Sequence, residues 1–265
     1  MTLKRSFLPF SILAGLLAMN SGEAKAQSPA TTIPLIFTKT VDAAKTHTGD
    51  PVQAKTMQGL TLPDGTQLAK GSTVRGHVVE ARAFSFDATP YAVQRPSILS
   101  IHFDQVVTKD GVRTISASIR ALASRLEADE ARTPHRTDET DSVGTMVLVG
   151  GGSFNPLSKE IVTGDGDIIG YNRRGGIFAR LLPAGYESRY SHFQCDGSNG
   201  EQSVAIFSPM ACGVYGFDSL YMAENGLSGS FGTFRLESRR RSVKLYAGSA
   251  ALLELISPDH SSGGL

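Results

Sequence analysis

Two cysteines, six histidines and a scatter of serines and acids are the side chains with which this chain could do chemistry. Cys195 and Cys212 stand a moderate loop apart with no Cys-x-x-Cys pair, and His192 lies three residues before Cys195. That spacing suits a disulfide in an oxidising compartment better than a zinc site, which needs paired thiolates or a close histidine set. A bridge across such a loop stabilises by roughly 3 kcal/mol in the chain-entropy account. His47, His77, His102, His135, His192 and His260 are dispersed, with no His-Glu-x-x-His run. His102 has no second histidine two residues along, so a solvent-face strand residue is expected there and not a ligand. Asp165 and Asp167 lie in Gly164-Asp165-Gly166-Asp167, which lacks the further acids and closing glutamate of a calcium loop; a hairpin turn is expected.

Nucleophilic chemistry has no better signature. No Gly-x-Ser-x-Gly elbow precedes a helix, although chain order by itself leaves a Ser-His-Asp triad open. Gly150-Gly151-Gly152 is followed by no Gly-Lys-Ser/Thr, and no Gly-x-Gly-x-x-Gly opens a helix, so neither phosphate cradle is present. The expectation is therefore no catalytic residue, no metal and no cofactor. Two sets of residues are candidates for contact with a partner. Arg239-Arg240-Arg241 is either a solvated charge run in a turn or a contact for acidic lipid or a carboxylate partner. Phe84, Phe86 and Tyr91 are either an exposed patch or half-buried loop anchors.

The amino terminus has the three parts of a secretory signal: Lys4 and Arg5, an apolar run from Phe7 to Met19, and Ala24-Lys25-Ala26 before Gln27. Cleavage after Ala26 is expected, in preference to an anchor, because the run is short for a span and carries Pro9 and Gly15. Removing that segment takes the net charge from +1 to about −1, which leaves no electrostatic case for nucleic acid. No later segment is apolar enough to cross a bilayer as a helix. A periplasmic or secreted protein follows.

The elements that would position these residues are strands. From Gly49 the chain runs through Leu60-Thr61-Leu62 to Pro63-Asp64-Gly65, a tight turn preset by proline and glycine, and reverses again at Lys70-Gly71. Val74, Gly76 and Val78 then fall on one face of a strand, with Arg75, His77 and Val79 on the other. Ser97 to Val107 and Val112 to Ala121 alternate around Lys109-Asp110-Gly111 as a long hairpin, with Ile115, Ala117, Ile119 and Ala121 in period two. Residues 122–145 are charged and read as a solvated linker with one helical turn near Ser124 to Arg132. Val204 to Phe207 reads as an apolar strand inside the cysteine loop. Phe231 to Glu237 and Val243 to Ile256 are the last strands. The final one lacks a local partner and must find an edge elsewhere; the Leu60 and Val74 strands are the expected candidates.

The fold class that results is all-β: a small barrel or sandwich carrying a glycine-rich, disulfide-containing β insertion. Its expected divisions are a signal at 1–26, a barrel core from 27–121 and 231–258, the polar linker at 122–145, an inserted subdomain at 146–230 and a tail at 259–265.

Four blocks carry a family resemblance: Gly49-Asp50-Pro51-Val52, Leu62-Pro63-Asp64-Gly65, Ala69-Lys70-Gly71-Ser72-Thr73-Val74-Arg75-Gly76, and Val243-Lys244-Leu245-Tyr246-Ala247-Gly248-Ser249 before a last apolar strand. In that order they resemble the TrbI-like barrel of the outer-membrane channel scaffold in type IV secretion and conjugal transfer machines, and related secreted bacterial proteins. The chain departs from that family in having no amphipathic helix pair for a channel antenna and no inner-membrane helix with a proline-rich linker. The resemblance thus implies an exported, non-enzymatic envelope protein with a scaffold or binding role, whose partner is another envelope protein. The competing expectation is a secreted hydrolase or carbohydrate-binding domain that uses the glycine-rich insert.

Overall fold

The structure, a computed structural model, describes residues 32–87, 93–136, 142–173, 175–184, 194–227 and 231–256. The expected signal segment, Tyr91, His192, His260 and the tail lie outside the described residues. The first half of the chain forms β1 (Thr32–Phe37), β2 (Val41–Asp42), β3 (Pro51–Thr56), β4 (Leu60–Thr61), β5 (Gln67–Leu68), β6 (Thr73–Arg82), β7 (Ser85–Asp87), β8 (Val93–Arg95), β9 (Ser97–Thr108), β10 (Gly111–Thr114) and β11 (Ala117–Ala123). A short helix, α1 (Arg125–Glu130), follows. Next come β12 (Met146–Val147), β13 (Ser153–Phe154), β14 (Glu160–Val162), β15 (Ile168–Arg173), β16 (Gly176–Arg180) and β17 (Glu201–Ser203). The chain closes with β18 (Gly213–Tyr215), β19 (Leu220–Glu224), β20 (Thr233–Ser238), β21 (Lys244–Leu245) and β22 (Ala250–Leu255).

Nine strands lie side by side in the order β18-β11-β22-β1-β3-β6-β9-β20-β19, with β10 paired to the far half of β9. The two end strands, β18 and β19, come into contact, and the Ile119 N–H donates to the Asn225 carbonyl at 2.8 Å, so the sheet curls into a nearly closed barrel. Alternation fills its interior. Ile33, Leu35, Phe37, Val74, Val78, Leu99, Ile101, Phe103, Phe234, Leu236 and Leu253 form one buried cluster, with Phe103 6.1 Å from both the Phe37 and the Phe234 rings. Arg75 and His77 sit on the other face of β6, as the sequence pattern requires. The Pro63-Asp64-Gly65 turn closes the β4–β5 hairpin, with Gly65 at φ +83° and the Asp64 carboxylate accepting the Thr66 N–H at 2.9 Å.

A second sheet, β12-β13-β14-β15-β16-β17, packs its own core of Leu148, Phe154, Ile161, Ile177, Ala179, Leu181 and Val204. Between it and the barrel lies a third cluster. There Ala121, Ala123, Ala250 and Leu252 of the barrel's outer face meet Ala128 of α1, the adjoining Ala131, and Val149, Ile206, Phe207 and Ala211. Gln58 pins the two sheets together by donating to the Ile177 carbonyl at 2.9 Å and accepting its N–H at 3.0 Å.

Five expectations change, the first being that the last strand pairs with β1 and β11 and not with the Leu60 or Val74 strand, whose edges are already taken by β5 and by β3 and β9. The long hairpin stops at Thr114: β11 leaves β9 and pairs with β22 and β18, because β20 already occupies the first half of that edge of β9. The clean period of two in β11 is broken by a bulge at Arg120, which turns Ala121 outward and Leu122 inward. Val204 to Phe207 is a buried turn, not a strand: Phe207 donates to the Val204 carbonyl and Ala205 adopts φ +46°. Of the stretch 146–230, the second sheet takes 146–203, and Gly213–Tyr215 and Leu220–Glu224 return to the barrel.

Candidate functional site

Where β11 gives way to α1, the chain leaves a cleft of about 440 Å³ at one end of the barrel. Ser124 starts the helix by accepting the Glu127 N–H at 3.2 Å, and its own N–H donates to the Tyr215 carbonyl at 2.9 Å. Gly216 lets the next loop lie on this first turn, since a Cβ there would come within 2.2 Å of Glu127 Cγ and 2.5 Å of Ser124 Oγ. Burial beneath that loop, with Glu130 nearby, pushes the Glu127 carboxyl up.

Phe217, Leu220, Val243, Tyr246 and the stem of Leu126 give the cleft apolar walls. Its charged groups come from α1, the β18–β19 loop, the β20–β21 turn and β21. Arg125 pairs with Asp129 along α1 at 3.6 Å; Arg241, in the β20–β21 turn, donates to the Asp218 carbonyl at 3.1 Å and meets that residue's carboxylate at 3.6 Å. Lys244 lies 3.4 Å from Asp42 and 4.9 Å from the centre of the Tyr246 ring. The lining hydroxyls are engaged with main-chain N–H groups: Ser238 accepts from Arg240 and Arg241 at 3.4 Å, and Ser242 accepts from Phe84 at 3.0 Å. The cleft thus combines apolar walls with charged groups of both signs.

Comparison of the chain with protein-family models, with curated proteins and with solved structures finds no match.

The structure brings part of the expected contact set together. Arg239, Arg240 and Arg241 are all exposed, and Arg241 lines the cleft. Phe84 is half-buried and tied by its main chain to Ser242, whereas Phe86 is exposed on the separate β7–β8 hairpin. Cys195, between β16 and β17, and Cys212, just before β18, are joined in a disulfide. Gly164 to Asp167 forms the β14–β15 turn, with the Thr163 N–H donating to the Asp167 carbonyl at 2.9 Å. The glycines of the insert serve close packing: a Cβ on Gly150 would lie 2.9 Å from Ala211, and one on Gly152 2.9 Å from Ile169.

Arg120 is the residue that sequence reasoning missed. Its side chain is fully buried, aimed out of the barrel by the bulge, and donates to the carbonyls of Ala211 at 3.0 Å, Asp196 at 2.6 Å, Leu182 at 2.5 Å and Pro209 at 3.3 Å. It also meets the Glu254 carboxylate at 3.2 Å. One cation thereby gathers the cysteine loop onto β11. The available signal was a lone arginine inside the apolar run from Ile115 to Ala123.

Proposed function

We propose that this protein is an exported, non-enzymatic component of the cell envelope that binds an acidic segment of another envelope protein in the cleft beside α1. The observation that carries this reading is the charge balance around the apolar walls. Arg125, Arg241 and Lys244 line it from α1, the β20–β21 turn and β21, facing Asp129, Asp218 and Asp42, and the exposed Arg239 and Arg240 in the same turn add two further positive charges near its rim. Phe217 and Tyr246 supply the area that anchors a chain, and exposed arginines at the rim speed encounter with an acidic partner. The envelope setting rests on the signal-like amino terminus and on the likeness of the Gly49 to Gly76 and Val243 to Ser249 blocks to the TrbI-like barrel.

A photo-crosslinking residue placed at Tyr246 in cells tests the proposal. It should trap a protein adduct that the same residue at Val112, exposed on β10, does not trap. The adduct should fade in the Arg239→Glu/Arg240→Glu/Arg241→Glu variant and at raised salt. Equal trapping from both positions, or trapping indifferent to charge reversal, would overturn it.

A further inference from the structure

The outer face of β6 and β9 carries a second cluster, independent of the cleft. His77 and His102 stand directly opposite one another across the two strands, ring centroids 5.5 Å apart and planes inclined at 45°. A β-bulge in β9, between the pairs Arg75 with Gln105 and Gly76 with Phe103, leaves Asp104 as the additional residue. With Phe103 and Val106 pointing into the barrel, Asp104 is turned outward, and its Oδ2 lies 3.0 Å from His77 Nδ1. His102 Nδ1 lies 3.3 Å from the Thr233 hydroxyl on β20. Both rings are therefore held at Nδ1: the acceptor-only Asp104 carboxylate places the proton of His77 there and leaves its Nε2 lone pair free, and the Thr233 hydroxyl, which can accept from His102 Nδ1, is compatible with the same tautomer in His102.

We propose that His77 and His102 together bind a divalent transition-metal ion of the zinc or copper type. Asp104 is a positioning residue for His77, and water fills the remaining coordination positions. Two imidazoles on one such ion, each about 2.0–2.1 Å from it, place their ring centres ~5 Å apart, close to the separation found. Imidazole selects zinc, copper or nickel over calcium and magnesium. The His77 side chain is 43% exposed, and His102 is half-buried and seated, with Gly232 backing it so closely that a Cβ would lie 2.8 Å from its Cε1. No set of three or more His, Cys, Asp or Glu side chains of metal-binding geometry occurs among the described residues, so this is an open two-ligand site and not a closed structural one. A search for a second histidine along one strand cannot see it, because the partner arrives from the neighbouring strand.

Calorimetric titration of the tag-free full chain with Zn(II) and Cu(II) is the test. One equivalent should bind; His77→Asn and His102→Asn should each abolish it, and Asp104→Asn should weaken it about 10- to 100-fold with the stoichiometry kept. A measurement that needs no variant guards against a fold defect: substoichiometric Cu(II) should broaden the imidazole resonances of His77 and His102 before those of His47 and His135. Wild-type affinity in both histidine variants, broadening centred on other histidines, or no uptake at millimolar metal would overturn the proposal.

Discussion

Arg120 puts a full positive charge where water does not reach, and the fold tolerates it because every donor direction meets an acceptor: four main-chain carbonyls and the Glu254 carboxylate. Truncating it strands those carbonyls and leaves Glu254 without its cation. Arg120→Ala should lower unfolding free energy by about 3–5 kcal/mol, read from urea denaturation near neutral pH. The loss should depend on pH in a set direction. Burial pushes the Glu254 carboxyl above its ordinary 4.5, while Arg120 pulls it partly back. A raised folded pKa means that the folded chain binds the proton more tightly than the unfolded chain. Glu254's contribution is then complete below 4.5 and fades as pH rises through the folded value. Without Arg120 the folded value climbs further, so the penalty of the substitution should shrink on acidification as Glu254 takes up its proton. A penalty that stayed constant between acid and neutral pH would detach Glu254 from the network.

At the scale of elements, the disulfide and Arg120 act on the same segment. The Cys195–Cys212 bridge spans a sequence separation of 17 that includes β17 and ends just before β18, and Arg120 gathers carbonyls from within and beside it. Replacing both cysteines by serine should cost roughly 3 kcal/mol, with loss of hydrogen-exchange protection concentrated in 194–212 and β18 while β3, β6 and β9 keep theirs. Uniform loss of protection would mean that the loop is part of the barrel's cooperative unit. Bridging of this pair was legible from the cysteine count and spacing, and so were the turns at Gly65 and Gly71, where local chemistry decides the backbone. Illegible elements were those decided by distant neighbours. Val204 to Phe207 is apolar because its turn feeds two cores, Val204 into the second sheet and Phe207 into the layer against the barrel, and an apolar run of that length reads equally well as a strand. The helical turn expected near Ser124 to Arg132 is α1, but the polar stretch after Ala123 hid its packing, since its only apolar contributions to that layer are Ala128 and the adjoining Ala131. Of the residues singled out in the sequence only Arg241 lines the cleft; Arg125 and Lys244 are brought beside it by the return of β21 to β2 and of β18 to β11, which no local pattern reveals.

For the whole molecule, the decisive strand is the last. β22 is an inner strand of the barrel: Leu253 stands opposite Ile33 of β1 on one side and Ile119 of β11 on the other. The expected partners, the Leu60 and Val74 strands, are otherwise engaged, β4 with β5 and β6 with β3 and β9. Residues 250 to 253 are fully buried, Ala251 and Leu253 inside the barrel, Ala250 and Leu252 in the layer beneath α1 and the second sheet. Truncation at Arg241 removes β21 and β22 together. It leaves the facing edges of β1 and β11 with unpaired main-chain groups, empties two cores at once and takes Glu254 from Arg120. Deletion of 257–265 touches none of these pairings, and even the Ile256 N–H keeps its bond to the Ser116 carbonyl. The shorter deletion should therefore melt like the full chain, whereas the Arg241 truncation should show no cooperative transition by circular dichroism and should aggregate. A soluble Arg241 truncation with an unchanged melting transition would make the carboxy-terminal strands a separate unit, and a barrel closed through β22 would have to be abandoned.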